Sequence, residues 1–273
     1  MYSVFLVPKI LFWVFLFVYG QYIWGWQYKD GTRWEMICVQ RYLRQMLLEE
    51  IGEMGQNKIN EARVLVVGAG GLGCPTLTYL GAAGVGFIRI ADFDEVSETN
   101  LNRQFFYSSA DSGKNKAMLA REHLLRQNPN IHIETISEKV TKDNVLSLIK
   151  DVDIVVDCVD NIATREILNE ACVEKNIPLI EAGVQGYYGF LTILTKEGHC
   201  LDCLGMSGMD DNKSPVGIIG VTAGVLGCMQ ANECLKIILN IESDLTHQVL
   251  QYDGLRGTIE YIEVERDPNC NRH

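Results

Sequence analysis

The chain has 273 residues and a formal net charge of −11, a length that suits one large α/β domain or two small ones. No basic stripe offsets the acidic balance, which argues against a nucleic-acid partner. Nine cysteines are too few for a disulfide-stapled fold of this length, and we expect buried free thiols in a reducing cytosol for most of them, namely Cys74, Cys158, Cys172, Cys228 and Cys234.

Residues 1–26 are strongly apolar, and Ile10–Tyr19 carries no polar group except the Tyr19 hydroxyl. A transmembrane helix needs about 20 apolar residues. A membrane anchor through residues 1–26 therefore competes with an artefactual extension ahead of a true start near Met36. A signal peptide fits less well, because no small-residue cleavage site follows. We therefore separate an apolar extension, residues 1–35, from a cytoplasmic folded domain, residues 36–273.

The first predicted element of that domain is a helix from Arg41 to Ile51, where apolar residues recur at helical spacing among good helix formers. Its arginines fit a solvated helix face. The next predicted element is Val64–Val67, an apolar and mostly β-branched run that is typical of a buried strand.

A glycine-rich turn follows this strand and organises the interpretation. It carries the pattern G-x-G-x-x-G at Gly68, Gly70 and Gly73. A helix over Cys74–Gly84 and a second strand at Phe87–Ala91 come next, and Asp92 ends that strand. Glycines let the backbone approach a phosphate, and a carboxylate at this position can accept hydrogen bonds from ribose hydroxyls. The turn predicts nucleotide binding but leaves NAD and ATP both open.

Polar residues that suit a polyphosphate follow the second strand. Asn100, Arg103 and Lys116 are predicted on loops and helix starts near the carboxyl edge of a parallel sheet, where ligands of open α/β sheets bind. We expect Arg103 and Lys116 to face solvent at that edge, although each could be an ordinary surface charge. A helix is predicted over Lys116–Gln127 and a third strand over Ile131–Ile136.

A further buried strand is predicted at Asp153–Val159, and Asp160 follows it. A carboxylate at the carboxyl end of a central strand can hold Mg²⁺. The alternative for Asp160 is a cap on the helix predicted over Ala163–Lys175.

The remaining pattern predicts a fifth strand, an antiparallel strand, a glycine-rich helix and a final hairpin. Their residues are Pro178–Ala182, Tyr187–Thr195, Ile218–Ile238, and Gln248–Asp253 with Thr258–Glu265. The fold class is therefore α/β, with a Rossmann-like and mostly parallel sheet flanked by helices and an antiparallel C-terminal extension. The polar segment Met206–Pro215 is predicted as a mobile loop.

Two ligand pairs near the end of the chain predict a metal site. Cys200-x-x-Cys203 and Cys270-x-x-His273 would complete a tetrahedral zinc site with no open position for water, and such a site would be structural. His273 is the weakest ligand because it is the last residue, and His199 is a possible substitute. A redox-active Cys-x-x-Cys pair is the alternative.

These motifs together resemble the MoeB/ThiF/HesA family of enzymes that activate ubiquitin-like proteins, and MoeB most of all. The likeness runs from about Arg41 to Cys270. It rests on RYLRQ, VVGAGGLG, ADFDEVSETNLNRQ, GKNK, DCVDN and CLDC, which occur here in that order.

The resemblance implies an adenylation domain over residues 36–273. It implies that ATP adenylates the C-terminal glycine carboxylate of a ubiquitin-like carrier protein ending in Gly-Gly, with release of pyrophosphate. The resemblance implies an adenosine site at Gly68, Gly70, Gly71, Gly73 and Asp92, and phosphate contacts at Asn100, Arg103 and Lys116. It also implies Mg²⁺ at Asp160 and Zn²⁺ at the cysteines. Arg44 would reach the neighbouring subunit of a homodimer.

The pattern departs from the family at two points. His273 replaces the last cysteine of a second Cys-x-x-Cys, and Met206–Pro215 is short for a substrate-crossover loop. Two other functions stay open, an NAD-dependent oxidoreductase and a non-catalytic, membrane-tethered binding protein. No cysteine lies in Leu204–Gly217, and we therefore expect the carrier to leave as a free acyl-adenylate rather than as a covalent adduct with the enzyme.

Overall fold

The computed structural model describes residues 33–208, 217–270 and 272, and the eight strands among them form one sheet. In chain order these strands are β1 (Arg63–Val67), β2 (Phe87–Ala91), β3 (His132–Ile136), β4 (Ile154–Asp157), β5 (Leu179–Gln185), β6 (Tyr188–Leu194), β7 (Gln248–Asp253) and β8 (Thr258–Glu263). Across the sheet they lie in the order β3-β2-β1-β4-β5-β6-β7-β8.

The described residues form seven α-helices. They are α1 (Arg33–Met46), α2 (Gly52–Glu61), α3 (Gly73–Ala83), α4 (Lys116–Gln127), α5 (Val145–Leu148), α6 (Ile162–Lys175) and α7 (Gly220–Leu239). Strand β1 shows how both faces of the sheet are covered. Val64 and Val66 pack into one apolar cluster with residues of α3, α4 and α7, while Leu65 and Val67 pack into a second cluster with residues of α5 and α6. Burial on both faces explains why the parallel strands are continuous apolar runs.

Strands β1 to β5 are mutually parallel, and β6, β7 and β8 continue the sheet as an antiparallel extension. The predicted fold class is therefore confirmed. This topology brings the carboxyl ends of β1, β2 and β4 to one edge, where the predicted nucleotide residues follow their strands. Strand β8 is the outer edge of the extension, and all of its residues are exposed.

Most predicted elements are present, with ends that match the structure or differ by at most three residues, but the first helix is an exception. It was predicted to run to Ile51, whereas α1 ends at Met46 and the chain turns before Gly52, which has φ +54°. Helix α2 was not predicted at all. Its two glycines and polar composition give little helical signal. A Cβ on Gly55 would lie 2.9 Å from Cδ2 of Leu239, so a larger residue there would make the end of that side chain shift.

Some expectations fall outside the residues described. The predicted anchor in residues 1–26 does so entirely, and the predicted loop Met206–Pro215 does so from residue 209 onward. The proposed division between residues 35 and 36 falls within α1. No helix in the described part of the chain is both long enough and apolar enough to span a bilayer.

Candidate active site

The glycine turn connects β1 to α3 and can be built only from glycine at two positions. Gly68 has φ +96°, and a Cβ on it would lie 2.6 Å from the carbonyl oxygen of Cys158. A Cβ on Gly73 would lie 2.1 Å from the carbonyl oxygen of Gly68. The turn is therefore folded tightly on itself and against the end of β4. This leaves its backbone open toward the ligand edge of the sheet, as a phosphate site requires.

Asp92 lies beside this turn at the end of β2 and is held by two backbone donors. Its Oδ2 accepts a hydrogen bond from the N–H of Ala69 at 2.7 Å, and its Oδ1 accepts one from the N–H of Asp94 at 2.8 Å. Burial raises the pKa of Asp92, although these backbone hydrogen bonds oppose the rise. Asp92 also lines the large cavity at this edge, where a carboxylate can accept hydrogen bonds from a ribose.

Two cations face the same cavity from different elements. Arg103 is half-buried, and its Nη1 donates to the carbonyl oxygen of Thr99 and to Oδ1 of Asn102, both at 3.0 Å. Lys116, the first residue of α4, was expected to face solvent but is only 5% exposed, and its Nζ lies 3.0 Å from Oδ2 of Asp94. An incoming polyphosphate would therefore compete with Asp94 for this ammonium group.

Asp160 projects from the loop between β4 and α6. It is exposed and lines the cavity. It does not cap α6, because the Oδ1 of Asn161 accepts the hydrogen bond from the N–H of Thr164, at 3.0 Å. Its carboxylate is therefore available for a ligand, and an exposed oxygen donor beside a polyphosphate site fits the preference of Mg²⁺.

A single cavity of about 1400 Å³ joins these groups. Gly68, Gly70, Gly71, Asp92 and the side chains of Arg103, Lys116 and Asp160 lie on its nucleotide side. Its opposite side is formed by Gly183 on β5 and by the antiparallel extension, including Tyr188, Phe190, Tyr252 and Thr258. This volume exceeds the roughly 300–1,000 Å³ of typical small-molecule pockets, and the cavity therefore has room for a second substrate beside a nucleotide.

Three predicted site residues do not line this cavity. Asn100 instead completes a local turn, with its Oδ1 3.3 Å from the N–H of Ser97. Gly73 is buried as the first residue of α3. Arg44 lies exposed in the last turn of α1, so its predicted role in a neighbouring subunit is untested by a single chain.

The three described cysteines of the predicted metal site do come together. The Sγ atom of Cys200 lies 3.8 Å from that of Cys203 and 3.6 Å from that of Cys270. Zinc–sulfur bonds of about 2.3 Å in tetrahedral geometry place the sulfurs roughly 3.8 Å apart, so this donor set fits zinc. Burial raises the pKa of Cys200 to about 12, but a coordinating thiol loses its proton to the metal.

The C-terminal residues are also fixed to the domain by charge. Nε of Arg272 lies 2.7 Å from Oδ2 of Asp202, and its Nη1 lies 3.0 Å from Oε1 of Glu170 on α6. His273 lies outside the described residues. His199 does not fit as a substitute ligand here, because it lies outside the three-cysteine cluster, and its Nε2 is 2.7 Å from Oγ1 of Thr192.

The five cysteines that were expected to be buried thiols are so, with one exception. Cys74, Cys158, Cys172 and Cys234 are buried, and burial raises the pKa of each. Cys228 was expected to be buried as well but is only half-buried on α7, and its smaller burial still raises its pKa.

The ThiF family pattern matches residues 42–272, which include the glycine turn, both cations, Asp160 and the three cysteines. The chain belongs to the ThiF family. The resemblance inferred from the sequence motifs is thereby confirmed.

Characterised relatives of this ThiF-family chain are adenylyltransferases and an activating enzyme. The chain is 36% identical to the SAMP-activating enzyme E1 of Haloferax volcanii, over 85% of this chain and 87% of that protein. It is 36% identical to the sulfur carrier protein adenylyltransferase of Thermus thermophilus, over 87% of this chain and 92% of that protein. It is also 41% identical to the adenylyltransferase and sulfurtransferase MOCS3 of Culex quinquefasciatus over 83% of its length, but spans only 53% of that relative.

Solved structures share the fold of this ThiF-family chain. Escherichia coli MccB with MccA-N7isoASN superposes with a TM-score of 0.76 at 23% identity, over 89% of this chain and 75% of that one. PaaA superposes with a TM-score of 0.73 at 22% identity, over 87% and 86% of the two chains. At these identities the likeness concerns the architecture alone.

Asp94 and Gln104 are among the residues of this ThiF-family cavity that sequence reasoning missed. Asp94, the partner of Lys116, could have been found because it lies two residues after Asp92 in the same acidic motif. Gln104 lines the cavity while 4% exposed, and its Oε1 has no hydrogen-bond partner within the described part of the chain. Its position directly after Arg103 is the only sequence signal for it.

Proposed function

We propose that this ThiF-family protein uses ATP and Mg²⁺ to adenylate the C-terminal glycine carboxylate of a small ubiquitin-like carrier protein, releasing pyrophosphate. The observation that carries the proposal is the shared cavity. It places a phosphate-type glycine turn and two cations opposite an antiparallel sheet surface, with room for a second substrate between them. The names of the relatives favour this function over an NAD-dependent oxidoreductase or a non-catalytic binding protein.

The reaction is catalysed by electrostatic stabilisation of the phosphates rather than by a covalent intermediate with the protein. A carboxylate oxygen of the carrier attacks the α-phosphorus, and the bond from that phosphorus to the bridging oxygen of pyrophosphate breaks. Negative charge builds on the leaving pyrophosphate. Lys116 and Arg103 would stabilise it from two directions, and the buried ammonium group of Lys116 acts strongly because low-dielectric surroundings screen it less.

Magnesium fits the exposed carboxylate of Asp160 at the same edge of the cavity. When bound there with ATP, the ion neutralises phosphate charge and helps orient the phosphates. Asp92 would hold the ribose, and the glycine turn would present backbone N–H groups to the phosphates.

Two further assignments belong to this proposal. The three cysteines would hold a structural zinc ion, with a fourth ligand beyond the described cluster and His273 as the candidate from sequence. The exposed position of Arg44 suits a homodimer in which each Arg44 completes the partner copy's cavity.

The product would leave as a free acyl-adenylate. Cys158 is the cysteine among the described residues that line the cavity, and its thiol is a poor nucleophile. Its Sγ lies 3.4 Å from Oε1 of Gln230, and burial raises its pKa far above the usual range. A sulfur or amine nucleophile on another protein would then attack the acyl-adenylate.

ATP–pyrophosphate exchange tests the proposal. The carrier probe is a ubiquitin-fold protein ending in Gly-Gly from the source organism, and the same protein without its final Gly-Gly is the negative control. Exchange should appear only with the intact carrier. Binding of NAD(H) without carrier-dependent exchange would contradict the assignment.

Alanine variants test the roles of the two cations. Lys116→Ala and Arg103→Ala should each slow exchange at least tenfold, which corresponds to about 1.4 kcal/mol of transition-state stabilisation. Lys114→Ala is the matched control. It removes the same charge two residues from Lys116, but Lys114 is exposed, pairs with Asp111 and lies outside the cavity lining. Exchange at the unaltered rate in both cavity variants would refute the roles.

A further inference from the structure

A set of buried charges lies directly behind Asp160. Arg165, in the first turn of α6, is 6% exposed, and its Nη2 donates a 2.8 Å hydrogen bond to the carbonyl oxygen of Val159. Its Nη1 contacts Oε1 of Glu181, a fully buried residue of β5. One guanidinium group therefore connects helix α6, strand β5 and the backbone immediately before Asp160.

The backbone N–H of Val159 is held by a second buried ionisable side chain, that of Asp157. The N–H of Val159 donates to Oδ1 of Asp157 at 2.8 Å, and Asp157 is fully buried at the end of β4. Nε2 of Gln230 on α7 in turn donates to the carbonyl oxygen of Asp157 at 2.6 Å. Both hydrogen-bonding groups of the Val159 backbone are therefore held by buried, ionisable side chains.

This arrangement is hard to explain by stability alone. Removing two charges from water is costly, and well-packed apolar residues of similar volume often replace a buried ion pair without loss of stability. The contact made by Arg165 does have a geometric consequence, since the carbonyl group of Val159 belongs to the same planar peptide unit as the nitrogen of Asp160. Fixing that carbonyl fixes the orientation of the peptide plane from which the side chain of Asp160 projects.

We propose that Arg165 is a positioning residue that aims the carboxylate of Asp160 into the cavity, acting through the carbonyl of Val159. The inference rests on the proposed function for the identity of the Asp160 ligand, Mg²⁺ with ATP. Arg165 also lines the cavity, and the proposal concerns its hydrogen bond to Val159 rather than a contact with the nucleotide. The planar fork of the guanidinium suits this task, because it can bind a carboxylate and a carbonyl at once in a fixed relation.

Three variants separate positioning from simple stability. The double variant Arg165→Met with Glu181→Leu removes the guanidinium without leaving a buried carboxylate unpaired. Arg165→Lys keeps the positive charge but lacks the planar, forked guanidinium group. We expect it to behave as the double variant does, and it replaces that variant in the test if the double variant does not fold. Glu181→Gln is the control, because it leaves in place the hydrogen bond from the guanidinium of Arg165 to the carbonyl oxygen of Val159.

Binding of a fluorescent ATP analogue, measured with Mg²⁺ and with EDTA, is the first readout. Wild type and Glu181→Gln should bind more tightly with Mg²⁺. The double variant and Arg165→Lys should lose at least fivefold of that enhancement, while binding in EDTA stays within twofold of wild type. A double variant that keeps the full enhancement would overturn the proposal, as would equal loss in Glu181→Gln.

Hydrogen exchange of the segment Val159–Asn161, measured without substrates, is the second readout. The double variant and Arg165→Lys should exchange this segment at least tenfold faster, with Glu181→Gln near wild type. If wild type shows no carrier-dependent pyrophosphate exchange, the proposed function fails, yet this readout still tests the role of Arg165. Wild-type exchange protection in both Arg165 variants would refute the positioning role whatever the activity.

Discussion

The crossing of helices α3 and α7 offers a sharp test of the packing, because two glycines of α7 lie in opposite environments. A Cβ on Gly227 would lie 2.4 Å from the carbonyl oxygen of Leu72 and 2.5 Å from Cγ of Pro75, both on the α3 side of the crossing. A Cβ on Gly224, about one turn earlier in the same helix, would meet no atom within 4 Å. Alanine at the two positions therefore separates helix propensity from steric overlap.

The magnitudes follow from those two contributions. Alanine is favoured over glycine inside a helix by about 0.8–1.0 kcal/mol, so Gly224→Ala should stabilise the protein by up to that amount. Gly227→Ala gains the same propensity, but overpacking costs about 1–3 kcal/mol. The upper part of that range applies because a backbone carbonyl and a proline ring cannot rotate away. The two variants should therefore differ in free energy of unfolding by about 2–3 kcal/mol.

Urea unfolding and scanning calorimetry measure this difference directly. For a domain of this size, about 2–3 kcal/mol corresponds to roughly 4–12 °C in melting temperature, with Gly227→Ala the less stable variant. The urea dependence should keep its slope and change only its midpoint. Equal melting temperatures in the two variants would refute the close helix crossing.

Four further predictions follow from the site. Purified protein should carry about one zinc ion per chain by elemental analysis. Cys200→Ser should lose the metal and melt at a lower temperature. Metal-free protein with an unchanged melting temperature would exclude the site. Burial raises the pKa of Asp157 to about 6, so protons bind the folded state more strongly and the free energy of unfolding should fall as pH rises from about 4 to 6. Asp157→Asn should remove that fall in urea titrations across this range. Asp92→Asn should weaken nucleotide binding by at least fivefold in calorimetric titrations while it leaves zinc content unchanged. Mass spectrometry of protein incubated with ATP and carrier, without reductant, should show no covalent adduct, and a conjugate cleaved by dithiothreitol would identify a nucleophilic cysteine.

Local signals in the sequence predicted much of the site. The glycine turn, the strand before it and Asp92 after the second strand all lie within a span in which period and spacing are informative. The three cysteines were predicted for the same reason, since ligand spacing is itself a local pattern. The parallel topology then brings such segments together without further information.

Contacts between distant residues were the part that could not be predicted. Nothing in the sequence around Arg165 identifies Glu181 as its partner, and Gln230 bonds the carbonyl oxygen of Asp157 from 73 positions away. Asn100 was predicted as a phosphate contact, and the structure adds a local bond in which its Oδ1 accepts from the N–H of Ser97. The amide nitrogen, which would donate to a phosphate, takes no part in that bond, and the role stays a prediction. Lys116 was placed correctly at the helix start, but its burial depends on the elements packed around it.

The contact between α3 and α7 also has a consequence during synthesis. More than 130 residues separate Ala83, the end of α3, from Gly220, the start of α7. At about 5–20 residues per second, the ribosome needs roughly 7–30 s to supply the second helix after the first. Until then the face of α3 that will carry Leu72, Pro75 and Thr76 against Gly227 has no native cover. Until α7 is made, this apolar face stays exposed in the nascent chain, and exposed apolar surface of this kind favours aggregation or contact with chaperones.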